Sequence, residues 1–403
     1  MIKVLCAIVI SPHMSVSGAA RAAELLSSAV ALHCDVTIAS MLNRGPGVGA
    51  APEASACKRI ATRSWLPWPL SWSKLSNRYK TLFYRSDLPE IVRRGGFDIV
   101  HLHNPMPGLE MARVARACRT AGIPYVVSTH GFNEIANGAK INRFGPLRRL
   151  IWSQLAVRPV QQVVQRAAGI FALSPADFEI VRRMGFKGPN LTVVSNGVTP
   201  SASAEADEDR AIISRLGIPA RQDGEITCLF LANHSPNKGL PVLLDAFASL
   251  QQPYLLIVGG EKRPQIPYER YVRSCRPGQR IVLTGLLTDG EVAALFRRSD
   301  LFVFPTLADT FPLVVLEAMA NGLPVVASDV GGIPYQLTEE CGMVIPPGDP
   351  RQLAAAVESL SGQAESLRAM GQSARARAAT EFTWAHAAKQ AVAGYKAILQ
   401  GNS

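Results

Sequence analysis

Twelve short apolar runs alternate with stretches that have the spacing of amphipathic helices, and this alternation constrains the fold more than any other feature. Continuous runs of Val, Ile and Leu of this length are typical of strands buried on both faces, as in parallel sheets. Six runs lie in each half, which predicts two doubly wound α/β domains. The runs span residues 3–11, 35–40, 98–104, 125–131, 169–174, 191–197, 227–233, 254–260, 281–285, 301–306, 324–328 and 342–347.

Three of the intervening helices begin with a recognisable capping signal. Residues 174–177 and 288–291 have the spacing of a capping box, the first with a proline at the first helical position. Asp349 is followed by another proline and is predicted to cap a third helix.

A change in composition predicts the domain boundary. Residues 199–209, TPSASAEADED, are small, polar and acidic without periodicity, which is typical of a linker. An N-terminal domain over 1–198 and a C-terminal domain over 210–382 remain, each of ordinary size. Residues 383–403 follow both sheets and are predicted to form an amphipathic helix.

Composition disfavours several classes of protein. Of the 403 residues, 48% are apolar and 18% charged, so a large core is expected and disorder is not. No apolar stretch reaches the roughly 18 residues that a membrane-spanning helix needs. Residues 1–14 resemble a weak secretion signal, but the apolar core is short, and a buried first strand is the better interpretation. Seven scattered cysteines without a CxxC motif argue against a disulfide framework or zinc site and favour a reducing cytoplasm.

The positive charge lies in the N-terminal half. Residues 1–200 contain 24 Lys and Arg against 10 Asp and Glu, a net charge of +14, whereas residues 201–403 contain 18 against 21, a net charge of −3. Residues 58–94 and 140–166 are the most basic segments, and the first contains three of the five Trp. This combination is typical of a peripheral membrane surface. A solvated basic face with Trp in the core is the alternative, and nucleic acid is disfavoured because no binding motif accompanies the charge.

Polar residues at strand ends are candidates for a site, because open parallel sheets bind ligands at the carboxyl ends of their strands. Gly18 opens the helix after the first strand, where backbone amides can bind an anion, although a tight turn without a ligand explains it equally well. The loop is not GxGxxG and no acid ends the second strand, which weakens a dinucleotide-binding interpretation.

Histidines end two strands of the first domain. Alternation places His101 and His103 on one face, with Asn104 after them, and His130 ends the next strand. A lone His is more often structural, but two such strand ends in one domain favour a site, most of all at His130. No His-x-x-x-His spacing or acid cluster accompanies them, so no protein-held metal is predicted.

In the second domain, Lys238 and Gly239 follow the first strand and start a helix. The helix dipole, its free amides and the Lys charge favour a negative ligand, whereas an ordinary exposed Lys is the alternative. Gly259 and Gly260 end the next strand and permit a close approach of the backbone.

The stretch PTLADTFPLVVLEAMANG, residues 305–322, places two acids in an apolar context. Asp309 is predicted in a loop after a strand, and Glu317 in the second turn of a helix over 312–321 with Pro312 in its first turn. A buried, unpaired carboxylate is costly, so Glu317 needs hydrogen-bonding partners. These come from the protein or from a ligand rich in hydroxyl groups.

Together these motifs resemble a known family. In chain order they include HLHN, THG, VVSNGV, NKGLPVLLDAF, ADTFPLVVLEAMANGLPVVASDVGGIP and GMVIPPGDPRQLAAAV. The chain resembles the retaining nucleotide-sugar glycosyltransferases of family 4, which have the GT-B fold. The similarity covers nearly the whole chain, is densest over 281–350, and is most specific in the two acids separated by seven residues. It implies two Rossmann-like domains facing a cleft, with the donor on the C-terminal domain, the acceptor on the N-terminal one, and a final helix, 383–403, that returns to the first domain.

The resemblance also implies roles for residues of the donor sugar and nucleotide. Glu317 would hold the ribose hydroxyls, and Asp309 with the backbone of Thr310 and Phe311 would hold the hydroxyls of the donor sugar. His130 would contact the transferred sugar near the reacting carbon. His130, Asp309 and Glu317 thus form the implied catalytic set.

A second implied group surrounds the diphosphate. The amides of Leu313 and Val314 would meet it at a helix N-terminus, Lys238 would add charge, and Asn233 and Gly18 would lie beside it. The negative charge that builds on the leaving diphosphate would be stabilised by these groups rather than by a metal. That diphosphate would accept the acceptor's proton, and the anomeric configuration would be retained.

His103, Asn104 and Asn133 would lie on the acceptor side. The implied partners are a nucleotide-sugar co-substrate, with no further cofactor, and a glycan or lipid-linked acceptor. Such a reaction belongs to cell-surface polysaccharide or glycolipid synthesis, in the cytoplasm or at the inner face of the membrane.

Three departures from the family's pattern stand out. Asn233 occupies the position where the family usually has an Arg, which puts the usual pair of cations on the diphosphate in doubt unless Lys262, Arg263 or an Arg of the first domain compensates. Asp309 replaces the more frequent Glu with a shorter side chain. Tyr335 stands where an acid is usual, and the sequence offers no interpretation of this change.

Two alternatives remain at this level. A nucleotide-sugar epimerase would need acids and a His placed for proton removal, and no clear pair is present beyond the donor residues. A weakly active or non-catalytic nucleotide-sugar-binding protein is the other, because of the missing Arg. The base, the sugar, the acceptor and the oligomeric state stay open.

Overall fold

The computed structural model describes residues 1–12, 18–42, 57–72, 74, 77–141, 144–200 and 206–401. The chain divides into two compact units. Unit 1 comprises Met1–Gly197 and Trp384–Ser403, and unit 2 comprises Val198–Thr383. No helix among the described residues is both long enough and apolar enough to cross a bilayer.

The strands are β1 (Lys3–Ile10), β2 (Asp35–Ser40), β3 (Lys58–Ile60), β4 (Ser64–Trp65), β5 (Arg85–Ser86), β6 (Ile99–Met106), β7 (Tyr125–Ser128), β8 (Gly169–Ala172), β9 (Leu191–Val193), β10 (Ile226–Leu231), β11 (Tyr254–Gly259), β12 (Gln279–Gly285), β13 (Leu301–Phe304), β14 (Val325–Ser328) and β15 (Gly342–Ile345). The helices are α1 (Gly18–Val30), α2 (Asn77–Lys80), α3 (Leu88–Arg94), α4 (Gly108–Thr120), α5 (Phe132–Ile141), α6 (Pro146–Trp152), α7 (Arg158–Gln165), α8 (Ala176–Arg183), α9 (Ala206–Arg215), α10 (Leu240–Ser249), α11 (Tyr268–Arg273), α12 (Asp289–Arg298), α13 (Leu313–Ala320), α14 (Ile333–Gln336), α15 (Pro350–Leu360), α16 (Ala364–Glu381) and α17 (Trp384–Gly401).

Unit 1 is built on a parallel sheet in the order β3-β2-β1-β6-β7-β8-β9. The central strand β1 is buried on both faces. Cys6 and Ile8 point into the core under α1 and α17, whereas Leu5 and Val9 point into the core under α3, α4 and α7. The helix α17 packs on α1, β8 and β9, so the end of the chain completes the layer that covers one face of this sheet.

Unit 2 is built on a parallel sheet in the order β12-β11-β10-β13-β14-β15. The chain runs outward from β10 in one direction and then returns to start again at β13 on its other side. This Rossmann-type order leaves a crevice between the carboxyl ends of β10 and β13, where such sheets bind their ligands. The predicted pair of doubly wound α/β domains is therefore confirmed, and each of the twelve predicted runs contains a strand.

Two of the three predicted helix caps are confirmed. Thr288 and Glu291 form a reciprocal capping box on α12, and Asp349 accepts from the amides of Arg351 and Gln352 at the start of α15. The prediction for residues 174–177 is wrong, because no side chain caps α8.

The acidic end of the predicted linker forms a helix. Residues 201–205 of the segment 199–209 lie outside the described residues, but α9 begins at Ala206. Asp207, Glu208 and Asp209 occupy its first turn, where the helix dipole favours negative side chains. An acidic run without apolar periodicity thus encodes a helix start, which the sequence interpretation missed.

Candidate active site

In unit 2 the loops after β10 and β13 lie side by side where the strand order reverses. The amide of Leu307 donates to the carbonyl of Asn237 at 2.7 Å, and the Asn237 side-chain amide donates to the carbonyl of Ala308 at 3.1 Å. These bonds join two segments that are far apart in sequence, and they bring Lys238 and Asp309 to one place.

Lys238 and Asp309 form an ion pair that the sequence did not predict. Nζ of Lys238 lies 2.5 Å from Oδ2 of Asp309, and their side chains are only 20% and 14% exposed. The other carboxylate oxygen accepts from the amide of Thr310 at 3.0 Å. The cation expected at a diphosphate and the acid expected at sugar hydroxyls therefore neutralise each other here. A donor that uses both groups has to exchange this pair for its own contacts.

Glycines permit the close approach of these loops. Gly239 has φ 72°, and a Cβ built on it would lie 1.7 Å from the carbonyl oxygen of Pro305. Gly331 has φ 56°, and its Cβ would lie 2.2 Å from the carbonyl oxygen of Asp309. Any side chain at either position would push the loop that contains Asp309 away from its neighbours.

The helix α13 starts directly after this loop, one residue later than predicted. Pro312 precedes it in an extended conformation, and no side chain caps it. The amides of Leu313 and Val314 belong to the uncapped first turn, which is a suitable place for an anion. Glu317 is half-buried on this helix, so its carboxylate is less shielded from water than the sequence predicted.

Asn233 uses its side chain within its own turn. Its Oδ1 accepts from the hydroxyl of Ser235 at 2.7 Å, and the residue is exposed. Of the two residues of this unit expected to compensate for the missing Arg, Arg263 is paired with Glu261 at 3.0 Å. Lys262 is exposed and has no ion-pair partner among the described residues. Lys238 is thus the cation that the fold places closest to the carboxylate of Asp309.

His234, which the sequence interpretation passed over, supports the neighbouring loop. Its ring nitrogens lie 2.7 Å from the hydroxyl of Tyr268 and 3.3 Å from the carbonyl oxygen of Gly259. Tyr335 lies on the surface of unit 2 with its ring edge against Phe382, at 6.0 Å between centroids.

In unit 1, buried polar atoms without a hydrogen-bond partner gather at the carboxyl ends of four adjacent strands, β1, β6, β7 and β8. A buried polar group without a partner costs about 1–3 kcal/mol, so such a cluster calls for a ligand. Among the described residues these atoms are Oγ of Ser11, both ring nitrogens of His103, Nδ2 of Asn104, Nε2 of His130 and Oγ of Ser174, and Nε1 of Trp384, at the start of α17, is the one further such atom of the unit.

His101 and His103 share a face, as alternation predicted, with ring centroids 3.8 Å apart. Their surroundings differ. The nitrogens of His101 lie 2.7 Å from the hydroxyls of Tyr395 and Ser128, so this residue ties α17 to the sheet. Neither nitrogen of His103 has such a partner in the described residues. Burial lowers the pKa of His101 to about 3 and that of His103 well below its ordinary value.

Cys6, His101 and His103 are also the one group of potential metal ligands found in the described ranges, with ligand atoms within 4.8 Å of one another. Burial raises the pKa of the Cys6 thiol to about 12, and both nitrogens of His101 are already hydrogen-bonded. These properties are those of a packed core, and the absence of a protein-held metal remains a prediction.

His130 is buried at the end of β7, with its ring centroid 5.9 Å from that of His103. Burial lowers its pKa to about 4, so at pH 7 it is neutral and offers a hydrogen bond rather than a charge. Thr129, the residue before His130, is held by Asp177, which the sequence predicted as part of a helix cap. Oδ2 of Asp177 accepts from the hydroxyl of Thr129 at 2.5 Å and from the amide of Leu173 at 3.0 Å.

The other predicted residues of unit 1 are more dispersed. Gly18 is the first residue of α1, while Ser17 lies outside the described residues. Asn104 has a positive φ of 64°. Asn133 lies on α5, where its Oδ1 accepts from Asn137 at 2.7 Å.

Comparison with known proteins follows the same division of the chain. Residues 16–202 match the model of Glycosyltransferase Family 4, and residues 225–363 match that of Glycosyl transferases group 1. The phosphatidyl-myo-inositol mannosyltransferase of Mycobacterium leprae is 30% identical over 77% of this chain and 76% of its own. The chain belongs to glycosyltransferase family 4. This glycosyltransferase is also 26% identical to the MMP alpha-(1->4)-mannosyltransferase of Mycolicibacterium hassiacum, over 82% of this chain and 77% of that relative.

Solved structures confirm the GT-B architecture of the glycosyltransferase. Sucrose-phosphate synthase from Thermosynechococcus elongatus matches with a TM-score of 0.72 at 19% identity over the full length of both chains. Anabaena HepE in complex with UDP and glucose matches with a TM-score of 0.71 at 17% identity, over 98% of this chain and all of that one. The epimerase alternative gains no support from these proteins, and the roles of individual residues remain predictions.

Proposed function

We propose that this glycosyltransferase moves a sugar from a nucleotide-diphosphate donor to a glycan or lipid-linked acceptor and retains the anomeric configuration. The Lys238–Asp309 pair beside the uncapped start of α13 carries the proposal. One member supplies the positive charge that a diphosphate needs, and the other supplies oxygens that accept from sugar hydroxyls. Glu317, further along the same helix, is assigned to the ribose. UDP in the HepE complex supports a nucleotide donor of this kind without fixing the base here.

The chemical contribution of these residues is electrostatic. Negative charge builds on the departing diphosphate, where the Lys238 ammonium group and the amides of Leu313 and Val314 stabilise it. We assign the diphosphate to Lys238 and these amides rather than to a metal. The diphosphate then accepts the proton of the acceptor hydroxyl. His130, being neutral, hydrogen-bonds the transferred sugar, and His103 with Asn104 receives the acceptor.

Two features support an acceptor handled at the inner face of a membrane, in cell-surface polysaccharide or glycolipid synthesis. The relative from Mycobacterium leprae is named for transfer to phosphatidyl-myo-inositol. On α6, Leu147 and Leu150 are 70% and 57% exposed beside two arginines, and Trp68 is 81% exposed. Trp68 is thus not a core residue, which favours the membrane interpretation of the basic segments over the alternative. Co-sedimentation with anionic vesicles at low salt is expected, and a protein left in the supernatant would exclude this location.

The donor assignment is tested with a panel of UDP-, GDP- and ADP-sugars. We expect Lys238→Ala to lower kcat/KM by about a hundredfold or more, as the loss of one transition-state donor does. Glu317→Ala should mainly raise the KM for the donor. Arg368→Ala, an exposed cation on α16 of the same unit, is the control and should leave transfer within about threefold of wild type.

Several outcomes separate the alternatives. Wild-type transfer by both Lys238→Ala and Glu317→Ala would show that the donor binds elsewhere. Nucleotide binding without transfer or hydrolysis of any donor would favour the non-catalytic binding protein. The anomeric configuration of the product, read by NMR, tests retention.

A further inference from the structure

A cavity of about 550 Å³ in unit 1 lies where the two basic segments of the sequence meet. One wall is the outer face of α4. The second is formed by Gln154, Arg158 and Gln162, which are spaced four residues apart and so lie on one face of their helical stretch. The third comes from Pro67, Leu70 and residues 83–85. Residues 58–94 and 140–166, recognised separately by charge, therefore contribute to a single concave surface.

Arginines are most of the charged side chains that line this cavity. Four of them, Arg85, Arg113, Arg116 and Arg158, line it together with one carboxylate, that of Glu110. Arg113 is paired with Glu110, whereas the other three have no ion-pair partner among the residues that the structure describes. The cavity thus concentrates positive charge on a concave wall, which focuses the potential on an anion.

The single carboxylate is already fully used by the protein. Glu110 is completely buried and accepts from the amide and hydroxyl of Ser86 at 2.9 and 2.7 Å. It also accepts from Arg113 at 2.5 Å, which fixes that guanidinium in the wall. This carboxylate therefore holds Arg113 in position. The other three arginines have no carboxylate of the cavity lining to pair with.

We propose that this cavity binds the phosphate group of a phosphate ester. The planar guanidinium offers paired N–H donors that match phosphate oxygens, and several arginines together can hold a doubly charged group. Gln162 adds a neutral donor and acceptor for the alcohol part of the ester, while Gln154 accepts from Arg158 at 2.8 Å and so orients that guanidinium. This anion site consists of residues of α4, of 154–162 and of 83–85 together with Pro67 and Leu70, and none of these residues belongs to the proposed donor or acceptor groups.

Exposed apolar side chains adjoin the cavity on two sides. Trp68, 81% exposed, follows the lining residue Pro67, and Ile151, 43% exposed, precedes the lining residue Gln154 by three positions. Exposed aromatic and aliphatic side chains beside a basic cavity suit the interface of a bilayer, where lipid phosphates lie. A lipid headgroup and a soluble phosphate ester present the same group to the arginines, so both serve as probes.

The test compares two double variants with the same change of charge. Arg116→Ala with Arg158→Ala removes two lining arginines. Arg119→Ala with Arg166→Ala removes two exposed arginines outside the cavity and is the matched control. One probe is phosphatidylcholine vesicles with and without phosphatidylglycerol, read by co-sedimentation. The other is glycerol 3-phosphate, read by calorimetry and repeated in Lys238→Ala to exclude the donor loops.

We expect the cavity variant to bind at least one probe about tenfold more weakly than wild type, and the control to stay within about twofold. If the cavity variant loses binding to anionic vesicles alone, the phosphate belongs to a lipid. If it loses binding to glycerol 3-phosphate alone, the phosphate belongs to a soluble ester. Equal weakening by both double variants, or no binding of either probe by wild type, would overturn the proposal. Neither probe is a nucleotide sugar, so this outcome is independent of the proposed transfer reaction.

Discussion

At the scale of single residues, the Lys238–Asp309 ion pair determines how charge is distributed before a donor binds. The pair is mostly shielded from solvent but not completely buried, so its net contribution to stability is modest, on the order of 1 kcal/mol. Its larger effect is on ligands. A nucleotide diphosphate meets a cation that is already neutralised, and a sugar meets a carboxylate that is already bonded.

This arrangement predicts opposite effects on binding and on transfer for Asp309→Asn. The substitution releases Lys238 from its partner, so the dissociation constant of a nucleoside diphosphate without sugar should fall by about threefold to tenfold. Transfer should decrease, because the amide is a weaker acceptor for sugar hydroxyls. Calorimetry and transfer assays measure the two effects.

Asp329→Asn provides the control for the change in net charge, since Asp329 is an exposed acid of the same unit. It should alter neither quantity by more than about twofold. Weaker binding of the diphosphate by Asp309→Asn would contradict the idea that the donor displaces this ion pair.

At the scale of elements, the loops after parallel strands depend on contacts that local sequence patterns do not encode. Ser174 and Asp177 have the spacing of a helix cap, yet the Asp177 carboxylate turns to Thr129 and Leu173 on neighbouring strand ends. Gly239 appears in sequence as the start of a helix, but its main function is to let the backbone pass the carbonyl of Pro305.

Gly239→Ala should therefore destabilise unit 2 by about 2 kcal/mol or more, because both its positive φ and the missing space oppose a Cβ. Gly290→Ala is the matched control, since no atom lies within 4 Å of its Cβ position in α12. That change should be neutral or stabilise by up to about 1 kcal/mol. Urea unfolding followed by far-UV circular dichroism tests both, and equal stability of the two variants would refute the close-approach argument.

At the scale of the whole molecule, the two units differ in their buried histidines and in their tryptophans. All five Trp lie in unit 1, so tryptophan fluorescence follows that unit alone. His101, His103 and His130 are all buried there with depressed pKa values. A His that stays neutral in the folded state stabilises it fully above the unfolded pKa of about 6.5, and this contribution is lost as pH falls towards the folded pKa.

Acidification from pH 7 to pH 5 should consequently destabilise unit 1, by up to about 1.4 kcal/mol per His and pH unit once below pH 6. Asp177 acts in the opposite direction, because burial raises its pKa to about 6 and protonation then favours the folded state. Glu110 acts in the same direction as Asp177, because burial also raises its pKa, and three histidines outweigh these two acids. The urea midpoint of tryptophan fluorescence should fall with pH.

Replacement of one His separates this cause from general acid sensitivity. His103→Asn should make the free energy of unfolding depend less steeply on pH, by the equivalent of up to one proton taken up on unfolding. His33→Asn, at an exposed position, should leave that dependence unchanged. An identical slope in both variants would exclude the buried histidines as the source.

Local periodicity was sufficient to locate every strand of the two large sheets except the edge strand β3, because burial on both faces leaves a continuous apolar run. It also located Lys238, Asp309, Glu317 and His130 at strand ends or helix starts, since those positions depend only on nearby residues. The short strands β3, β4 and β5 escaped notice because they lack such runs, and α9 escaped notice because its first turn is acidic rather than apolar.

The sequence by itself thus determined two parallel-sheet domains, the family, and the strand ends from which a site is built. Only the tertiary structure decided which of those groups meet. Lys238 bonds Asp309 because β10 and β13 are neighbours, although 71 residues separate the two side chains. His101 is satisfied by Tyr395, while His103 has no partner among the described residues, because α17 covers one part of the sheet. Such pairings follow from strand order and helix packing, and no pattern within a few residues of either partner encodes them.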